Sequence, residues 1–175
     1  LERQSRLKIE RDDELLAEVV AITEYPNAHL GSFDKEFLEL PKEVIITSMK
    51  ENQRYFALLN NDGSLANRFV VVANSTSKDS ALIVAGNEKV LRARLSDAQF
   101  FWHSDLKNPF NAEKLKNITY LAGLGSVYDK ELRECEISVV LADIYSSELK
   151  ALGASKELLK EAIMLSKADL ATAMV

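Results

Sequence analysis

Two stretches carry side chains whose chemistry could do more than fold the chain. In "MKENQRYF" (Met49 to Phe56), Lys50, Gln53 and Arg54 stand directly before Tyr55 and Phe56. Basic groups hold phosphate while a neighbouring aromatic stacks on a base. The same residues also read as a solvated loop before an edge strand, with both aromatics in the core. In "AGNEKVLRARLSDAQFFWHSDLK" (Ala85 to Lys107), Arg92, Arg94 and Lys107 accompany Phe100, Phe101 and Trp102. Successive helical residues point about 100° apart, so three adjacent aromatics cannot share one face.

With Leu91 at the origin of a helical wheel, Leu95, Ala98 and Trp102 form one apolar stripe. Val90, Phe101 and Arg94 fall on one flank, Arg92, Glu88 and Gln99 on the other, and Phe100 opposite. One reading is a central helix packed on several sides. The other places Arg92 or Arg94 against phosphate beside a partly exposed ring. Arg94 also has Asp97 three residues on, at ion-pair spacing.

The rest of the chemical inventory is thin. The chain has neither GxxxxGK[ST] nor GxGxxG, and "GLG" at Gly123 to Gly125 lacks the remainder of both motifs. His29, His103 and Cys135 make a poor metal set, and neither histidine sits in HExxH or a His-Asp pair. Cys135 lies in a helical run, where a small buried residue is expected rather than a nucleophile. No catalytic and no metal-binding residue is assigned.

Composition bounds the class. The 175 residues are 47% hydrophobic and 28% charged, the proportions of a globular chain, and the net charge of −5 argues against a surface coated for non-specific nucleic-acid binding. A single cysteine forbids an internal disulfide. No apolar run reaches membrane-spanning length and no stretch reads as a signal peptide, so the expected location is cytoplasmic, with no membrane partner. Helical patterns without terminating residues at both ends lead to the expectation of an internal piece of a longer chain.

The elements that must position these residues follow from periodicity. Residues 1–23 repeat at helical spacing, with Leu15, Leu16, Val19 and Val20 as the clearest stripe, ahead of the breaker "YPNAHLGS". Pro41 to Met49 reads either as a short helix opened by proline or, through Val44, Ile45, Ile46 and Thr47, as a strand. Tyr55 to Leu59 and Phe69 to Ala73 are strands joined through Asp62-Gly63, the second covered on both faces. From Ser77 onward no strand is expected. Helical patterns occupy Ala85 to Lys107, Asn111 to Ala122, Lys130 to Leu152, and Ser155 to the end, with Ser155 as an N-cap. The expected fold class is α+β: a small mixed α/β unit over residues 1–76, then an all-helical part over 77–175.

Several segments, in order, resemble the beta subunit of bacterial glycyl-tRNA synthetase, the form built from separate alpha and beta chains. They are "EYPNAHLGSFDKEFLELPKEVIITSMKENQRYFALLNNDGSLANRFVVVANSTSKD", "AGNEKVLRARLSDAQFFWHSDLK", "LAGLGSVYDK" and "LSKADLATAMV". The likeness runs from about Leu15 to Val175. It implies that residues 1–76 are similar to the tRNA-editing module of the phenylalanyl enzyme's beta chain. Residues 77–175 would then be the start of an HD-type helical domain, truncated at its C-terminus.

The resemblance further implies a ligase assembled as a heterotetramer, with an alpha subunit carrying the class II site for glycine, ATP and Mg, and no cofactor held by this segment. The implied partners are that alpha subunit and glycine tRNA. Lys50, Gln53, Arg54, Arg92, Arg94 and Lys107 are the tRNA contacts to test, chosen from charge and position. Two alternatives stand beside tRNA binding: a scaffold that docks the alpha chain, and a vestigial hydrolase or editing module. HD hydrolases use a His-Asp pair that this sequence lacks, and Asp169 in "LSKADL" does not coordinate a metal alone. A glycine pocket excludes larger residues sterically, which lessens the need for editing.

Overall fold

The computed structural model describes residues 2–75, 79–108 and 110–174. It is a mixed α and β protein, with a four-stranded antiparallel sheet and seven α-helices among the described residues. Two compact units divide it, Leu1–Phe100 and Phe101–Val175. The boundary expected between residues 76 and 77 lies outside the described residues. No helix of the described residues is long and apolar enough to cross a membrane.

The first unit opens with a single helical turn, α1 (Glu2–Ser5), and a two-residue strand, β1 (Lys8–Ile9). The helix expected over residues 1–23 is therefore interrupted by β1, and its main part is α2 (Asp13–Ile22). Arg6 adopts φ +59° and turns the chain. Asp12 then caps α2, its carboxylate accepting the Leu15 N–H at 2.9 Å. Leu15 and Val19 are buried by α2, whereas Leu16 and Val20 from the same expected stripe are exposed.

"YPNAHLGS" is not a breaker. Pro26–Ser32 is strand β2, paired antiparallel with β4 (Leu65–Asn74) from Pro26↔Asn74 to Ser32↔Arg68. Proline is tolerated at the first residue of a strand, and seven ladder pairs override the turn propensity of Pro, Asn and Gly. Strand β3 (Phe56–Leu59) completes a sheet of order β1-β3-β4-β2. The Asp62-Gly63 turn forms as expected, with Gly63 at φ +85° and the Asp62 carboxylate accepting the Ser64 N–H.

Alternation along β3 and β4 gives the sheet two covered faces. Phe56, Leu58, Ala66 and Val70 meet Leu15 and Val19 of α2 in one cluster. On the other face the Phe69 ring stacks on Tyr55, centroids 4.6 Å apart. Beneath Phe69 lies Gly31 of β2: a Cβ there would stand 2.4 Å from the ring. Between Pro41 and Gln53 the helix prevails over the strand, as α3 (Lys42–Gln53), burying Ile45 and Met49.

Tyr55 is 2% exposed and its hydroxyl donates to Asn87 Oδ1 at 2.6 Å. Burial pushes this phenol up to about 12. An unfolded tyrosine ionises near pH 10, so the folded protein holds this proton more tightly. The resulting stability is fully present below pH 10 and is lost as pH rises from 10 to about 12. In urea titrations across that range the wild type should lose about 2 kcal/mol more than Tyr55→Phe, which has no proton to release.

Helix α4 (Ser80–Lys107) is the long aromatic-bearing helix, and it starts earlier than its periodicity suggested. Leu91 and Leu95 are fully buried, but Phe100 is 70% exposed and Phe101 also faces solvent. The many-sided core expected for the aromatics is thus not formed: the buried stripe is narrow.

The second unit is not all-helical. A 3-10 turn at Ala112–Asn117 replaces most of the helix expected over Asn111 to Ala122. It runs into a hairpin of β5 (Thr119–Leu121) and β6 (Gly125–Ser126). Gly123 and Gly125, both with positive φ near 80°, make the reversal, which is the work of the "GLG" stretch. Helix α5 (Val127–Ile144) follows through a capping box, Ser126 with Asp129. The expected Lys130 to Leu152 helix is divided at Tyr145 into α5 and α6 (Ser146–Ala151). Ser155 does cap α7 (Lys156–Leu165), its hydroxyl accepting the Leu158 N–H at 3.2 Å. A last 3-10 turn spans Ala168–Ala171.

Candidate nucleic-acid interface

The candidate contacts fall on two helices. Lys50, Gln53 and Arg54 belong to the C-terminal end of α3, not to a loop before an edge strand. Arg54 is its C-cap at φ +57°, its N–H donating to Lys50 O at 3.1 Å, while the Tyr55 N–H closes on Met49 O at 3.0 Å. Gln53 Oε1 lies 3.4 Å from the Tyr55 hydroxyl oxygen, whose proton goes to Asn87. Tyr55 and Phe56 are buried, so neither offers a ring to a base.

The charges are engaged. Lys50 Nζ lies 2.9 Å from Asp12 Oδ2 and 3.1 Å from Glu14 Oε2. Hydrogen bonds to Asp12 and then Glu14 hold the Lys50 ammonium above its ordinary range, while the Leu15 N–H and then Lys50 hold Asp12 below its own. Arg54 Nε reaches Glu18 Oε1 at 2.6 Å, and its guanidinium also donates to the Glu51 carbonyl. Spacing explains the set: Glu14 and Glu18 are one turn apart on α2, Lys50 and Arg54 one turn apart on α3, so the helices face each other as a two-rung ladder of opposite charge. That matched spacing of four was the one signal in the sequence able to reveal the pairing.

On α4, Arg92 grips Asp34 with Nε to Oδ2 at 3.0 Å and Nη2 to Oδ1 at 3.3 Å, a bidentate pair. Its neighbours on that flank also turn to the first unit's loops. Glu88 Oε1 accepts both the N–H and the hydroxyl of Ser32 at 2.8 Å, and Gln99 Nε2 donates to Glu39 Oε1 at 2.6 Å. Arg94 and Lys107 differ: both are exposed, and neither forms an ion pair among the described residues, the anticipated Arg94–Asp97 pair included.

Arg54 carries a structural test. A non-glycine residue in the left-handed region costs about 1 kcal/mol, and an exposed ion pair returns 0–1 kcal/mol by double-mutant measurement, roughly. Arg54→Gly should therefore unfold within about 0.5 kcal/mol of wild type, while Arg54→Ala, which keeps the strain and loses the pair, should be about 1 kcal/mol less stable than Arg54→Gly. Equal stability of the two variants in urea would contradict the cap assignment.

Cys135 is half-buried between α5 and α7, its thiol donating to Lys160 O at 3.7 Å, and burial pushes its ionisation up, away from nucleophilic use. No group of three or more His, Cys, Asp or Glu with metal-holding geometry occurs among the described residues. Sequence reasoning passed over Glu131 of α5, fully buried, with Oε2 accepting from the Ser166 hydroxyl at 2.9 Å and Oε1 3.6 Å from Lys130.

The family model for the glycyl-tRNA synthetase beta subunit matches residues 1–175. The chain belongs to the glycyl-tRNA synthetase beta subunit family. It is 51% identical over 180 residues to the glycine–tRNA ligase beta subunit of Helicobacter pylori (strain Shi470), covering all of this chain and 26% of that protein. It is 46% identical over 175 residues to the glycine–tRNA ligase beta subunit of Sulfurihydrogenibium sp. (strain YO3AOP1), covering 99% of this chain and 25% of that protein. Against the protein of the same name from Pseudomonas putida (strain W619) the identity is 45% over 163 residues, 92% of this chain and 23% of the relative. The chain thus spans about a quarter of the length of the curated relatives it matches. Within this glycyl-tRNA synthetase beta subunit segment, Arg94 and Lys107 are the candidate cations not engaged by a carboxylate.

Proposed function

We propose that this segment supports ATP-dependent glycylation of tRNA as a non-catalytic part of the beta subunit. It binds and positions glycine tRNA, while an alpha subunit holds glycine, ATP and Mg and performs the chemistry in a cytoplasmic heterotetramer. The observation that carries the reading is the contrast on α4 between Arg92, clamped by Asp34, and the exposed Arg94 and Lys107. A cation that must leave a carboxylate to meet a phosphate gives back much of what it gains. Of the six candidates, Arg94 and Lys107 therefore contribute most, and Lys50, Gln53, Arg54 and Arg92 hold the fold around them. The editing-type assignment of residues 1–76 and the HD-like assignment of 77–175 belong to this same reading.

The test uses a full-length beta subunit with its alpha subunit. Arg94→Glu and Lys107→Glu should each weaken glycine tRNA binding and reduce the slope of log affinity against log salt by about 1. Lys50→Ala and Arg92→Ala should leave both unchanged. Unaltered affinity and glycylation in all four variants would remove tRNA contact from this segment.

A second reading is favoured by the paired cations together with exposed apolar residues along α5, Ile137, Val140 and Ile144 among them. It is a scaffold that docks the alpha chain. Salt-insensitive association between subunits, lost on Val140→Glu, would select it.

A further inference from the structure

The second unit contains a cavity of about 560 Å³ whose walls and polar groups are of a consistent kind. Trp102 and Leu106 from the last turns of α4, with Phe110 and Met174, form its apolar lining, and Asp105 and Asp169 stand among them. Asp105 is fixed in place: its two oxygens accept the N–H groups of Ala173 at 2.8 Å and Met174 at 3.0 Å. Each carboxylate oxygen has a second lone pair, so the group retains acceptor capacity toward the cavity. Asp169 is exposed, and neither aspartate forms an ion pair among the described residues.

Aromatic walls and carboxylates together select an organic cation. A ring face attracts positive charge, and carboxylates accept hydrogen bonds but donate none. A phosphate would be repelled, and a purely apolar side chain would leave the remaining acceptor capacity of the carboxylates unused. Among protein cations, arginine fits best, because its guanidinium is weakly hydrated, stacks flat on tryptophan and donates in a fork to a carboxylate. We propose that this cavity is a docking site for an arginine side chain presented by a partner polypeptide. The site goes beyond the tRNA-positioning reading and does not depend on it, since it uses neither Arg94 nor Lys107.

Trp102 is the only tryptophan of the chain, so its emission reports on the cavity directly. The 175-residue chain is titrated with N-acetyl-arginine amide at constant ionic strength, with N-acetyl-citrulline amide as the uncharged analogue of the same shape. The arginine probe should give a saturable change with Kd on the order of 1–10 mM, as suits a ligand of so few atoms. The citrulline probe and the Asp169→Asn variant should each weaken binding by about fivefold or more. Asp169→Asn should melt with the wild type, because that carboxylate forms no hydrogen bond or ion pair among the described residues. Equal responses to the two probes, no response to arginine at about 100 mM, or tighter binding of adenosine monophosphate would each overturn the assignment.

Discussion

Gly31→Ala lowers the stability of the first unit by about 3 kcal/mol. The added methyl would stand 2.4, 2.7 and 2.9 Å from three carbons of the Phe69 ring. Relief is blocked on both sides. The ring is fully buried and stacked on Tyr55, and the backbone of Gly31 is held in the β2–β4 ladder opposite Phe69. Neither a rotamer change nor a shift of one strand opens the space without breaking another contact. Because the conflict is with one ring, shrinking the ring should relieve it. Phe69→Leu destabilises on its own, but the double variant should be more stable than the sum of the two losses by at least about 1 kcal/mol in urea denaturation. Strictly additive losses would mean that Gly31 serves some purpose other than making room for Phe69.

The second large effect is expected in the other unit. Leu115 is fully buried within the 3-10 turn at Ala112–Asn117. So short a 3-10 segment has poor hydrogen-bond geometry and little stability of its own; its one buried leucine anchors it. Leu115→Ala should cost about 3 kcal/mol through lost burial and the cavity left behind. The damage should extend along the chain, since Ile118 O accepts the Val127 N–H that begins α5 and Glu113 Oε1 accepts the Tyr128 hydroxyl. Hydrogen exchange at the Val127 amide should therefore quicken in step with the loss of stability. An unchanged Val127 amide in a destabilised variant would show that α5 begins independently of the turn.

What the sequence disclosed and what it hid divide along a physical line. Local chemistry was legible: Asp62-Gly63 as a reversal, Ser155 as a cap, and the run at Phe69 to Ala73 as a strand covered on both faces. Long-range pairing was not. Pro26, Asn27 and Gly31 carry turn propensity, and only β4, far along the chain, makes β2 of them. The β5–β6 hairpin is local and hid for another reason: apolar Leu115, Ile118 and Leu121 recur every third residue, a spacing that also fits a helix.

The candidate site followed the same division. The charge of Arg94 and Lys107 could be read from the chain but not their exposure, and the carboxylates that engage Lys50, Arg54 and Arg92 come from other elements. Basic residues identified one at a time cannot show which of them already has a partner in the fold.

The strand order bears on how the chain acquires its shape during synthesis. β2 is made early, yet its partner in the sheet is β4, with α3 and β3 produced in between. Until Asn74 has left the ribosome, the Pro26 end of β2 has no ladder to join and presents bare backbone donors and acceptors. Closing such a distant pair is slow compared with forming the helices that flank it. Emerging chains of this family should therefore pass through an interval in which helices α2 and α3 exist before the sheet is complete, and in that interval a chaperone that covers extended backbone would find its substrate at β2.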